Sequence, residues 1–227
     1  MSYFPFFIEI KGKKGVVIGG GKHAVFKVQK LLPFEPELTV IAPEMSEEME
    51  LLLKRIGGYD TDTGAPKGQS ICEGIVVKVI LLHRNWQESD LEEASFVIAA
   101  LSDAEENRRI AELCRAHHIL VNVVDQPADC DFYFPAIVKD GPVTVAVSSD
   151  GKSPAATTYL RKKVENMMPE GIGAAVELLG AMRAELMERI PDFKTRTALF
   201  EKLLHKCLTE CGQMSEEQLR IYMEELL

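Results

Sequence analysis

The chain is short of positive charge. Among 227 residues, 26 Lys and Arg stand against 35 Asp and Glu, a formal net charge of −9 at pH 7. There is no basic block either, so the sequence lacks the electrostatic footprint of a nucleic-acid partner. Long apolar runs are also missing. None approaches the roughly 20 residues that a membrane-crossing helix needs, so no membrane partner is expected. Met1-Ser-Tyr-Phe-Pro-Phe-Phe opens the chain without a basic segment or a long apolar stretch, so no secretory signal is read there. Cysteine is sparse and odd in number, at 72, 114, 130, 207 and 211, with no C-x-x-C pair. These are expected to be reduced thiols in a cytoplasm. Cys207 and Cys211 could share a helix face, with a metal or redox role set against plain core and surface thiols. The histidines show no H-x-x-x-H spacing, and no fixed metal site is expected.

What is present is an ordinary globular composition, 46% hydrophobic and 27% charged, long enough for one large domain or two modest ones. One stretch organises the rest. Gly15-Val-Val-Ile18 reads as a buried parallel strand that stops in Gly19, Gly20 and Gly21, and a helical pattern starts at Lys22 or His23. Written as G-x-G-x-x-A, the fingerprint is Gly19, Gly21 and Ala24. Gly19 would make the tight turn, Gly21 would let backbone approach a pyrophosphate, and Ala24 would allow close helix–strand packing. The helix N-terminus would then offer N–H groups and a positive dipole end to the phosphates. The plain alternative is a glycine-rich turn that binds nothing.

Phe4 to Ile10 looks like an edge strand or an apolar lead-in. The spacing then gives a helix from Ala24 to Leu32, ended by Pro33 and Pro36. A second strand covers Leu38–Ala42, and Ser46 caps a helix over Glu47–Ile56. Gly57 to Gly74 reads as a surface loop or lid. A strand at Ile75–Leu82, a short helix at Glu88–Ala94 and a strand at Phe96–Ala100 follow. Ser102 or Asp103 caps a helix over Ala104–His117, and a fifth strand covers Ile119–Val124. This alternation predicts an α/β fold with an open parallel sheet covered on both faces. At Asp125 the pattern changes. Phe132–Lys139 and Val143–Ser149 read as a hairpin turning at Asp140-Gly141. From Ser153-Pro154, an N-cap with Pro in the first turn, helices run to about Met168, then near 171–190, 193–208 and 215–226. Three parts are thus expected: 1–124, 125–152 and 153–227. The hairpin and helical tail would bury themselves best by dimerising, so a homodimer is expected.

The order and spacing of several blocks resemble one family, precorrin-2 dehydrogenase / sirohydrochlorin ferrochelatase, also found as the N-terminal half of siroheme synthase. The blocks are Pro5-Phe-Phe7, Ile18-Gly-Gly-Gly21 with Ala24 and Lys27, Thr39-Val-x-Ala-Pro43, and Ala99-Ala-x-Ser-Asp103 with Asn107. They continue with Asn122-Val-Val-Asp125 and Pro127, Phe134-Pro-Ala-Ile137, Val145-Ala-Val-Ser-Ser149 and Ser153-Pro154. The resemblance implies a Rossmann-like NAD-binding domain, a small β-containing dimerisation domain and a helical C-terminal domain. It implies NAD-dependent oxidation of precorrin-2 to sirohydrochlorin, and in some members insertion of ferrous ion as co-substrate. It puts the catalytic aspartate on Asp125, substrate contacts on Asn122 and Ser149, and cofactor contacts on the glycine turn through Lys22 and His23, and on Pro43 and Glu44. Ser149 matches a serine that is phosphorylated in some members.

The residues allow their own reading beside this. Asp125 follows a strand's carboxyl end, where ligands bind in open α/β sheets, and could take the proton released by dehydrogenation. Alternatively it caps the turn before Pro127. His23 could approach phosphates or macrocycle, or be a solvent-facing first-turn residue. Ser102 and Asp103 could line the nicotinamide-ribose end or cap the helix that follows them. Glu44 is the first acid after the second strand, and no Lys or Arg lies between Lys30 and Lys54 to meet a 2′-phosphate, so NAD is favoured over NADP. Arg161, Lys162 and Lys163 could complement an acid-rich tetrapyrrole or form a solvated helix face. The rival to the enzyme is a non-catalytic NAD-binding sensor; a third reading keeps the enzyme but makes metal insertion its main task.

Overall fold

In the computed structural model, residues 4–56, 70–72 and 75–227 are described. They fall into two units, one of Pro5–Phe134 and one of Pro135–Leu227 with Phe4.

The first unit grows from β-branched runs that can bury both faces. The strands are β1 (Lys14–Ile18), β2 (Glu37–Ile41), β3 (Ser70–Cys72), β4 (Ile75–Leu82), β5 (Phe96–Ala99) and β6 (Leu120–Val123). They form one sheet in the order β3-β4-β2-β1-β5-β6. All pairs are parallel except β3 with β4. The five parallel strands, numbered among themselves, run 3-2-1-4-5, so strand order reverses beside β1, where doubly wound sheets open a crevice for ligands. In β1 and β5, Val16, Val17, Ile18, Val97, Ile98 and Ala99 are all fully buried. Helices α1 (Lys22–Leu31), α2 (Glu47–Arg55) and α3 (Ala104–Ala116) cover the faces. Val28, Met49 and Leu53 join a core with Val17, Val40 and Ile98; Ile110, Ala111 and Cys114 join one with Val16, Ile18 and Val121.

Local differences from expectation have local causes. Pro33 does not stop the chain's helical course; it starts a 3-10 turn over Leu32–Phe34, where its missing N–H costs nothing. Glu88–Ala94 shortens to a 3-10 turn at Glu88–Leu91, held by a Gln87/Asp90 capping box and by Arg84, which donates to both Asp90 oxygens at 2.7 and 2.6 Å. Residues 4–10 form no strand, and Phe6, Phe7 and Ile8 are exposed. Of the expected 57–74 loop, Ser70–Cys72 is strand β3; residues 57–69, 73 and 74 lie outside the described residues.

In the second unit, β7 (Ala136–Asp140) and β8 (Val143–Val147) form the antiparallel hairpin. Its first strand begins four residues later than the sequence pattern suggests, because residues 130–132 are bonded elsewhere. Four helices follow: α4 (Pro154–Met167), α5 (Ile172–Arg189), α6 (Phe193–Thr209) and α7 (Glu216–Leu226). Ser153 caps α4 by accepting from Ala156 N at 3.2 Å, Asp192 caps α6 and Ser215 caps α7. Met182, Leu186, Leu203, Cys207, Leu219 and Met223 make the core of α5–α7. Asp140 accepts from Gly173 N at 3.0 Å, tying the hairpin turn to the start of α5.

Candidate active site

Two helix N-termini on the carboxyl edge of the first unit's sheet differ in one respect. At α3, Asp103 Oδ1 accepts from Glu105 N at 2.9 Å and Glu106 N at 3.2 Å, so its carboxylate fills the dipole end. At α1, the preceding residue is Gly21, no side chain caps the first turn, and no acid lies within it. The free N–H groups of that turn are therefore open to an external anion. Lys22 and His23 are exposed there, and Ala24 is fully buried against the sheet, as close packing requires.

The three glycines are held in three different ways. Gly19 has φ +124°, and a Cβ on it would stand 2.4 Å from the Ala100 carbonyl oxygen that follows β5. Neither strain is open to another residue. Gly20 meets the backbone after β2: its Cβ would lie 2.4 Å from the Glu44 carbonyl oxygen, and its own carbonyl accepts from Ser46 N at 2.9 Å. Pro43 and Glu44, both exposed, are thus brought to the glycine turn. Gly21 has an ordinary φ of −81° and nothing within 4 Å of its Cβ. Nothing in the chain's own packing calls for glycine at 21, whereas a pyrophosphate lying on the backbone would. The residues present therefore fit a dinucleotide.

Asp125 sits past the end of β6, exposed, in the left-handed region at φ +59°. The segment around it folds back along the outer edge of β6 and covers that edge. Asp131 N donates to Val121 O at 2.8 Å, and Val121 N donates to Asp131 Oδ2 at 3.1 Å. The Asn122 amide donates to Phe132 O at 2.8 Å. The Cys130 thiol donates to Val123 O at 3.2 Å and accepts from Val123 N at 3.2 Å. Burial pushes that thiol's pKa up, which suits a structural hydrogen-bonding role. Asn122 is 4% exposed, and its Oδ1 has no partner among the described residues. The same is true of Gln126 Oε1, whose amide nitrogen donates to Ala104 O at 2.9 Å. Within this unit the structure thus gathers Gly19 to Ala24, Pro43 and Glu44, Ser102 and Asp103, Asn122 and Asp125 along one sheet edge. Ser102 is exposed, and Asp103 is occupied as a cap.

Lys27 belongs to the block that opens at Ile18, where the sequence assigns it no role. It stands on the buried side of α1, three residues after Ala24, with Nζ 4.1 Å from the Phe134 ring centroid. Desolvation lowers its pKa to about 8, Lys30 adds to the effect, and Cys130 and Asp125 oppose it. A lysine inside the apolar stripe Ala24, Val28, Leu31 was the available signal.

Ser149 belongs to the second unit. Its hydroxyl donates to Ser153 O at 3.1 Å and accepts from Thr157 Oγ1 at 2.8 Å and Ser153 N at 3.2 Å. It is the hub that fastens the hairpin's exit to the first turn of α4. Arg161 pairs with Glu165 at 2.8 Å, while Lys162 and Lys163 are exposed. Among the described residues, no three His, Cys, Asp or Glu stand together as metal ligands, and no helix is long and apolar enough to cross a membrane.

A family model described as "Putative NAD(P)-binding" matches residues 6–136, and one described as "Sirohaem biosynthesis protein central" matches residues 140–167. The siroheme synthase of Thioalkalivibrio sulfidiphilus is 33% identical over 217 residues, 96% of this chain and 40% of that protein. That of Nitrosococcus oceani is 33% identical over 221 residues, covering 96% and 43%. The chain therefore spans less than half the length of these relatives. Among solved structures, SirC, precorrin-2 dehydrogenase, superposes with a TM-score of 0.69 at 21% identity, covering 98% of both chains, and so shares the fold.

Proposed function

The chain belongs to the putative NAD(P)-binding family whose model it matches over residues 6–136, and from that premise we propose that it acts in sirohaem biosynthesis, oxidising precorrin-2 to sirohydrochlorin with NAD. The observation that carries the reading is the uncapped first turn of α1 beneath Gly21, on the same sheet edge as an exposed carboxylate at Asp125. Bound NAD supplies the acceptor for the hydride that leaves a C–H bond of the macrocycle with its electron pair. The backbone from Gly19 to Ala24 would hold the pyrophosphate, and the open space over Gly21 would leave room for it. Pro43 and Glu44, exposed beside Gly20, would border the adenosine ribose. With no Lys or Arg between residues 30 and 54, nothing there would pair with a 2′-phosphate, which favours NAD over NADP. Asp125 accepts the proton that the macrocycle loses, so two electrons and two hydrogens leave in balance. Asn122 braces the turn that carries Asp125, through its bond to Phe132 O.

A homodimer formed through the hairpin region belongs to the same reading. It is supported by α4, where no residue is buried, and by the hairpin, where only Val138 is.

The test is anaerobic addition of precorrin-2 and NAD, following NADH by its near-ultraviolet absorbance, and then ferrous ion to score insertion into the product. Asp125→Ala should lose NADH formation while keeping NAD affinity; unchanged turnover would remove Asp125 from the mechanism. A wild-type chain that binds NAD but never reduces it with precorrin-2 would favour the sensor.

A further inference from the structure

Lys27 carries a half-buried ammonium. Its stem follows the buried face of α1 beside Ala24 and Val28, and its nitrogen rests on the ring of Phe134. The charged and titratable groups that face it are Lys30 on its own helix and Asp125 and Cys130 from the segment after β6. Among the described residues, no carboxylate stands within ion-pair distance of it, and an aromatic face is the contact that holds it. Such a contact offsets only part of the cost of taking a cation out of water. Asn122, whose amide nitrogen lies 3.5 Å from the Cys130 sulfur, carries a buried Oδ1 with no partner among the described residues.

We propose that Lys27 is a specificity-determining residue of this site, its ammonium pairing with a carboxylate side chain of the tetrapyrrole. An anionic oxygen is also what a pyrophosphate would offer. The carboxylate is favoured because the neighbours of Lys27 are Phe134, Asp125 and Cys130 past β6, whereas the pyrophosphate's place is the glycine turn, which ends six residues earlier at Gly21. The proposal rests on the substrate class inferred above. A bound carboxylate would favour the charged lysine, so affinity should fall as pH rises through the value of about 8 at which the unliganded lysine gives up its proton.

The test titrates the full chain with sirohydrochlorin, anaerobically, and separately with NADH, for wild type, Lys27→Met and Lys27→Arg, at pH 7 and at a pH well above 8. Lys27→Met should weaken sirohydrochlorin binding at pH 7 about 10- to 100-fold, as loss of a charge-assisted contact does, with NADH affinity unchanged. Lys27→Arg should restore most of it and remove the fall in affinity at high pH, since guanidinium stays charged. That restoration separates a charge role from a packing role, and from titration of Cys130, which Lys27→Arg leaves in place. Wild-type-like sirohydrochlorin binding by Lys27→Met would overturn the proposal, and so would a loss confined to NADH. A wild-type chain that binds NADH but no sirohydrochlorin would instead remove the substrate reading itself.

Discussion

The two units solve burial differently. In the Pro5–Phe134 unit each inner strand is covered on both faces by its own chain: Val17 and Ile98 look to one core, Val16 and Val97 to the other, and all four are fully buried. The later unit is complete only in part. Its α5–α7 bundle encloses Leu203, Leu219 and Met182 fully, yet the hairpin and α4 beside them bury a single hydrophobic residue, Val138, while Tyr159, Leu160 and Met167 are exposed. A parallel sheet cannot exist without covering layers, so it carries them in its own sequence. A two-stranded hairpin with one helix can form locally and leave its apolar side for another surface.

Five experiments would break or sharpen that contrast, beginning with the largest effect. Ile98→Ala removes side-chain volume from the enclosed sheet core and should cost about 2–5 kcal/mol, read by urea unfolding. A loss below about 1 kcal/mol would mean that this core is not closed in solution.

Lys27→Met probes a half-buried, incompletely satisfied charge inside the better-packed unit. The folded pKa of about 8 lies below the 10.5 of a free lysine, so the unfolded chain binds more protons between the two. Wild-type stability should therefore rise as pH climbs from 8 towards 10.5, by an amount on the order of 2 kcal/mol after allowing for partial exposure. Lys27→Met should be the more stable protein at pH 7 and should lack the rise, seen in unfolding midpoints across that range. A wild-type midpoint flat through that window would show the lysine to be solvated.

Asp103→Ala strips the cap from α3 and should cost about 1 kcal/mol, whereas the naturally uncapped α1 has no such bond to lose. Gly21→Ala should leave the midpoint unchanged and still weaken NAD binding; equal NAD affinity would mean that the open space over Gly21 is not used. Leu160→Ala on α4 should have the smallest effect of those that alter stability. In dilute protein it should change stability by less than about 0.5 kcal/mol, and its effect should grow with protein concentration if a second copy covers that face.

Much of the fold was legible because the signals are local. The caps at Ser46, Asp103 and Ser153 each bond a backbone N–H two or three residues on, so residue type and position suffice to find them. The helices of the tail came from periodicity bounded by Pro169, Pro191 and Gly212. The glycine turn was readable for the same reason. Other features were hidden because their causes lie far along the chain. Phe132 reads as strand by composition, but its carbonyl is engaged by Asn122 ten residues earlier. Ser149 reads as a polar strand end, while its hydroxyl is shared with Ser153 and Thr157.

By itself the sequence determined most of the segments that become strands and helices, and where the glycine turn lies. Those follow from side-chain period, capping chemistry and the backbone freedom of glycine, all settled within a few residues. The tertiary structure alone decided the strand order 3-2-1-4-5, the close approach of Gly19 to Ala100, and the burial of Lys27 under Phe134. Each depends on which distant segment arrives next to a residue, and packing, not local pattern, makes that choice.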